Sequence, residues 1–258
     1  MSRALCIEPE NGRYRADLVF LHGLWTTSDI WQPAALGLAH RGWRCHLLDM
    51  RAGEGANASA FEQWCQSTAD FIAGFETPPV LIGHDAGALV ALVLAERSLP
   101  RAVVADAPLL VGPPQLQPRL ANRIARWRNA KLPPPAATAP MIQTGSEAGR
   151  ARVLNALTAE GARLVGSLTG RATRPGRPAV PTLILASPDD PAVPEHLVAI
   201  TAQGIEAEYQ KRSGGHYGML EEPYDLSSSA VQRWLVRRAG PDLLVLRGDE
   251  DLDPDALI

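Results

Sequence analysis

No stretch of this 258-residue sequence is apolar for long enough to cross a bilayer. The opening residues, Met1 to Arg13, hold no apolar run of the kind that marks a secretory leader, so the chain is expected in the cytoplasm. An excess of one charge is missing too: 25 basic residues against 28 acidic ones leave a net charge of −3. That balance gives no footprint for nucleic acid and no attraction to an anionic membrane surface. Cysteine is down to three, Cys6, Cys45 and Cys65, an odd number without metal-ligand spacing. No metal or cofactor is therefore expected, and Cys45 and Cys65, set in apolar segments, are expected as buried thiols. Internal repeats are absent. What is present is an ordinary apolar share, 46%, in a chain long enough for one large α/β domain with an insertion. The expected partner is a small-molecule substrate, and the sequence allows a homodimer.

One stretch organises the rest. Val80 to Ile82 is an apolar run that stops at Gly83, and Gly87 opens a helical pattern to Glu96. Between the glycines stands Asp85. This is a G-x-Nu-x-G elbow with aspartate in the nucleophile's place. A strand turning sharply into a helix strains the central residue and lifts its side chain clear, while a Cβ at either flank would collide with backbone. The helix aims unpaired N–H groups and its positive end at Asp85. In the bland reading Asp85 merely caps that helix.

Around this centre the chain alternates strands and helices. Leu5 to Ile7, Asp17 to Leu21, Trp43 to Leu48, Ala102 to Ala105, Pro181 to Ala186 and Ile205 to Tyr209 read as strands. Ser28 or Asp29 is expected to cap a helix from Trp31 to His40, and Ser59 with Glu62 forms a capping box for a helix reaching Phe75. The last helix runs from Glu222 to Arg238, and Leu243 to Leu246 offers an edge strand. From Leu109 to Ala179 prolines break up helical patterns at Leu116–Lys131, Gln143–Thr158 and Glu160–Leu168. Within them, Arg119 to Arg128 is basic and amphipathic; it is either a solvated face or a source of substrate contacts through Arg126 or Trp127.

The motifs G-H-D-A-G at 83–87, H-G at 22–23, D-P-A-V-P at 190–194 and G-G-H-Y-G-M-L-E-E-P at 214–223 together resemble the α/β-hydrolase superfamily. The aspartate at the elbow resembles the branch of epoxide hydrolases and haloalkane dehalogenases. The resemblance implies a mostly parallel central sheet flanked by helices, with residues 1–108 and 180–258 as the core and 109–179 as a helical cap. It implies Asp85, His216 and Asp190 as the catalytic set, with Asp189 as neighbour and Asp106 as the alternative acid. The backbone N–H groups of Leu24 and Ala86 become the oxyanion donors. From the residues themselves, Trp25 and Trp127 could supply an indole N–H to a leaving group, and with His22 they are the candidate substrate contacts. His22 also has a bland reading, as a tie for its own loop.

Aspartate is ionised at neutral pH and needs no base to attack. Asp85 would form an ester with an electrophilic carbon, and His216, oriented by Asp190, would activate the water that hydrolyses it. Several family features are missing. The tyrosines are Tyr14, Tyr209, Tyr217 and Tyr224, none of them in the cap, and Ala86 stands where those dehalogenases carry Trp or Arg. Three chemistries stay open: hydrolysis of an epoxide-, halide- or lactone-type electrophile; general-base catalysis by Asp85 in a lyase or isomerase; and an aspartate replacing serine with little activity.

Overall fold

The computed structural model describes residues 3–51, 60–109, 131–132, 134, 141–143, 146–169, 175–219 and 224–238. Seven of the described strands form one sheet: β1 (Arg3–Ile7), β2 (Leu18–Leu21), β3 (Cys45–Asp49), β4 (Val80–His84), β5 (Ala102–Asp106), β8 (Thr182–Ala186) and β9 (Glu208–Lys211). Their order is β1-β3-β2-β4-β5-β8-β9. Only β1 runs antiparallel, paired with β3; every other pairing is parallel. The inner strands β2, β4, β5 and β8 are buried along their whole length, which is why they read as continuous apolar runs rather than alternating ones. A further pair, β6 (Lys131–Leu132) and β7 (Glu160–Gly161), is antiparallel and separate from the sheet.

The described helices are α1 (Gln32–His40), α2 (Ala60–Ile72), α3 (Ala86–Glu96), α4 (Glu147–Ala156), α5 (Ala162–Thr169), α6 (Glu195–Gly204) and α7 (Tyr224–Arg238). They cover both faces of the sheet, which splits the apolar core in two. One cluster joins α2, α3, α5 and α6 to one face through residues such as Phe61, Trp64, Leu89, Leu164 and Val198. The other joins α1 and α7 to the opposite face through Phe20, Trp31, Leu38, Trp43 and Trp234. Helix α3 lies mid-sheet and buries nine of its eleven residues, so it carries no polar face. Among the described residues no helix is long and apolar enough to cross a membrane.

Most expected elements that fall on described residues hold with shifts at their ends; Lys131 and Glu160, expected in helices, instead pair as strands in β6 and β7, and two further differences have physical causes. Neither Ser28 nor Asp29 caps α1. A 3-10 turn over Ser28–Trp31 leads into it, Trp31 takes the cap position without a side-chain bond, and Pro33 in the first turn removes one donor that would need a partner. The strand expected from Ile205 starts only at Glu208, because Ile205 still closes α6 through its N–H to the Thr201 carbonyl. Cys45 and Cys65 are buried thiols, as their apolar surroundings implied, and Cys6 is exposed. Ser59, Leu116 to Ala130, Trp127 and Leu243 to Leu246 lie outside the described residues.

Candidate active site

Asp85 sits between the end of β4 and the start of α3 with φ 52° and ψ −116°, a conformation that is strained for any residue with a Cβ. The neighbours explain how the strain is tolerated. At Gly83 a Cβ would strike the Gly87 backbone, and at Gly87 it would strike the carbonyls of Leu21 and His22. The strand end, the helix start and the end of β2 therefore meet at a distance only glycine permits. Gly23 extends the same crossing: a Cβ there would come within 2.7 Å of the Asp85 Cβ.

That approach brings the Leu24 N–H onto Asp85, donating to Oδ2 at 2.8 Å. The Ala86 N–H, at the start of α3, also favours the charged carboxylate. Asp85 is 5% exposed. Burial raises its carboxyl above the ordinary value and outweighs the opposing pull of His216 and of these two N–H groups.

His216 arrives from the loop after β9. Its Nδ1 lies 2.9 Å from Asp190 Oδ2, so with the proton on Nδ1 the Nε2 lone pair is the free one. Burial alone would lower the imidazole, but the hydrogen bond and charge of Asp190, then the charge of Asp85, raise it above the ordinary histidine value. At Asp190 burial pushes upward, yet the bond and charge of His216 and the N–H groups of Ala192 and Val193 hold the carboxyl low. Asp189 beside it is exposed, and its backbone N–H donates to Ser187 Oγ at 3.1 Å. The Ser187 hydroxyl in turn donates to the Gly214 carbonyl, joining the acid loop to the histidine loop.

The other residues singled out from the sequence divide. His22 is fully buried, with Nδ1 2.9 Å from the Gly23 carbonyl and Nε2 3.3 Å from the Met50 N–H; both ring nitrogens tie main chain together. Asp49 lies 3.4 Å from the same Nε2. Trp25 takes a positive φ of 55° and is held on both sides of its backbone. Its N–H donates to Glu160 Oε2 at 3.3 Å, and its carbonyl accepts from the Thr158 N–H at 2.7 Å. The indole Nε1 is buried without a partner among the described residues. Asp106 is spent on Arg212 and does not face the imidazole as its acid.

Three neighbours had no signal in the sequence. Glu160, 3% exposed, accepts from Arg51 as well as from Trp25, which fixes the turn after Leu24. His84 donates from Nε2 to the His216 carbonyl at 3.0 Å, and its ring lies 4.6 Å from that of His216. Burial, then the charges of His216 and Arg212, push its pKa well down, so it stays neutral. Arg212 grips the histidine loop from below. A histidine beside an elbow and a basic residue at a strand end are common enough in any sequence that only their placement distinguishes them. No group of acidic, histidine and cysteine side chains suited to a metal ion occurs among the described residues.

The family model described as "Alpha/beta hydrolase family" matches residues 18–229. No curated protein sequence matches the chain. Among solved structures, a monoacylglycerol lipase from Paleococcus ferrophilus superposes with a TM-score of 0.73 at 17% identity, covering 92% of this chain and 99% of that one. A thermophilic esterase from Thermogutta terrifontis gives 0.70 at 18% identity over 91% and 93% of the two chains. An enol-lactonase from Burkholderia xenovorans gives 0.69 at 17% identity over 91% and 96%. At these identities the likeness is one of fold.

Proposed function

The chain belongs to the α/β-hydrolase family, and from that premise we propose that it hydrolyses a small organic substrate through a covalent ester on Asp85. One observation carries the reading: Asp85 Oδ2 already accepts the Leu24 N–H at 2.8 Å. The oxygen seated on that donor is the one that becomes the ester carbonyl if the other oxygen attacks, and the Ala86 N–H is assigned as the second donor in this reading. The electrophile is a carbon of the epoxide, halide or lactone type. The free oxygen of Asp85 bonds to that carbon, and the leaving group departs with the electron pair of the broken bond. Water then loses a proton to His216 Nε2 and adds to the Asp85 carboxyl carbon. The charge collects on Oδ2, where Leu24 and Ala86 donate. Collapse breaks the ester bond and releases the product oxygen, which takes the proton back from His216, and the Asp85 carboxylic acid so formed loses its own proton to solvent to regenerate the carboxylate. Asp190 holds the imidazole in the tautomer and orientation these steps need.

In this reading residues 109–179 serve as the cap, and Trp127 is assigned to substrate contact from the sequence alone. Trp25, next in chain to Leu24 and only part-buried, belongs to the pocket wall. The protein works without metal or cofactor, in the cytoplasm, on a small molecule and not on nucleic acid or a membrane.

A second reading has one observation in its favour. Burial raises Asp85, and a carboxylate with a raised pKa is a better base. Asp85 would then remove a proton from substrate, with Leu24 and Ala86 holding an enolate.

A single turnover in ¹⁸O-labelled water separates the two, because hydrolysis of the ester places label in the Asp85 carboxylate and proton abstraction leaves it unlabelled. Asp85→Asn removes activity, and His216→Gln traps the ester as a mass increase on the intact protein. A fully active Asp85→Asn variant rejects the nucleophile.

A further inference from the structure

Beneath the site lies a buried ion pair that the chemistry above does not use. Arg212 directly follows β9 and Asp106 ends β5; the two side chains are 6% and 7% exposed, and Nε of the arginine donates to Asp106 Oδ1. Their surroundings are apolar: Phe20, Ile82, Val104, Leu185 and Met219 line the small cavity that both residues border. A buried ion pair is a poor source of stability, since well-packed apolar residues of similar volume do as well or better. The pair therefore calls for another reason to be there.

The remaining nitrogens of Arg212 supply it. Nη1 donates to the Gly215 carbonyl at 2.7 Å and the Ser213 carbonyl at 3.2 Å, and Nη2 donates to the His216 carbonyl at 3.2 Å. One planar group thus holds three carbonyls of the loop that delivers the imidazole. No apolar side chain could, and a lysine lacks the fixed fork. Gly218 permits the approach, since a Cβ there would come to 2.5 Å of Nη1. His84 adds a donor to the His216 carbonyl, and the His216 N–H is taken by the Met141 carbonyl at 3.0 Å. Asp106 in turn stands on the strand next to β4, in register with His84, and its carbonyl accepts the Asp85 N–H at 3.1 Å. Asp106 is therefore bonded to the elbow through its backbone and to the histidine loop through its side chain.

We propose that Arg212, anchored by Asp106, is a positioning residue that locks the His216 loop in register with Asp85, and that it governs hydrolysis of the covalent intermediate rather than its formation. This rests on the reading of Asp85 as nucleophile. In that reading His216 acts only in the second step, so a loosened loop slows that step alone. The groups facing the imidazole are Asp190, Asp85, His84 and Tyr217, with Arg212 behind it.

Arg212→Lys keeps the charge and loses the fork. The expected result is a slowing of ester hydrolysis of about 100-fold, the scale of a displacement of about 1 Å in a reacting group, with ester formation changed less than about twofold. The adduct then accumulates at steady state and is read by intact-protein mass. Independently of any substrate, an NMR titration of the full chain follows His216, whose pKa falls toward the ordinary histidine value as its contact with Asp190 loosens. Should Arg212→Lys fail to fold, Asp106→Asn, which preserves shape and an acceptor, is judged by the same two measurements. Equal slowing of both steps, or a folded variant with unchanged hydrolysis and an unchanged His216 titration, overturns the proposal. If the wild type places no label in Asp85, the nucleophile reading fails and the titration alone decides the clamp.

Discussion

Two ionisable side chains set the working range of this site, and both are displaced in the same direction. In the proposed reaction Asp85 must be ionised to attack and His216 must be neutral to accept a proton from water. Burial raises the first; Asp190 and Asp85 together overcome burial to raise the second. Activity is therefore lost on acidification at a higher pH than free side chains would give. The acid limb of kcat/KM is expected above the ordinary aspartate value of about 3.9; where ester hydrolysis limits kcat, Asp85 is uncharged as the ester, and the His216 limb is set by Asp190 alone against burial. In Asp190→Asn the raising partner is removed while burial remains, so the His216 limb moves to lower pH as kcat falls. A pH-rate profile of the two proteins checks this, and an unmoved limb would show that Asp190 does not govern the imidazole.

The crossing of β2, β4 and α3 places the donor on the carboxylate, and it does so with glycine. Gly87→Ala sets a methyl group against the Leu21 and His22 carbonyls, and Leu21 cannot retreat because it is paired on both sides in β2. The cost is about 3 kcal/mol, the upper part of the range for overpacking, read as a drop in the denaturant midpoint. The Leu24 N–H is displaced by the same push, so activity falls further than the loss of folded protein explains. A variant as stable and active as the parent contradicts the crossing. Glu160 is the other elemental support: it reaches from β7 to the Trp25 N–H and ties the turn after Leu24 to a segment more than 100 residues on.

Across the molecule, the two core clusters do different work. The cluster on the α1 and α7 side holds a network remote from the elbow. Trp43 stacks on Tyr14 with centroids 3.7 Å apart and donates to Gln232, which donates to the Tyr14 hydroxyl at 2.8 Å. Trp43 is fully buried. Trp43→Ala is expected to cost about 3–5 kcal/mol, a fall in Tm of about 10 °C for a domain of this size, with kcat unchanged at a temperature where the variant is folded. A thermal melt with a parallel assay checks both halves, and a variant with the parent's Tm removes the network from the account.

The sequence by itself determined the tight turn at Asp85, most of the described strands and helices of the core, and Asp85, Asp190 and His216 as candidates, because each is written in local terms. Glycine spacing reports a tight turn, an apolar run reports a strand buried on both faces, and Asp-Pro and Gly-Gly-His report loops. Element ends were less legible, since a 3-10 turn before α1 and one more bonded residue at the end of α6 depend on backbone bonds and not on residue type. Tertiary structure alone decided that Asp106 belongs to Arg212, that His22 ties backbone, and that Glu160 steadies the turn beyond Leu24. Those roles come from partners brought together across the chain, and a side chain's charge or ring gives no sign of which distant carbonyl or carboxylate it will meet.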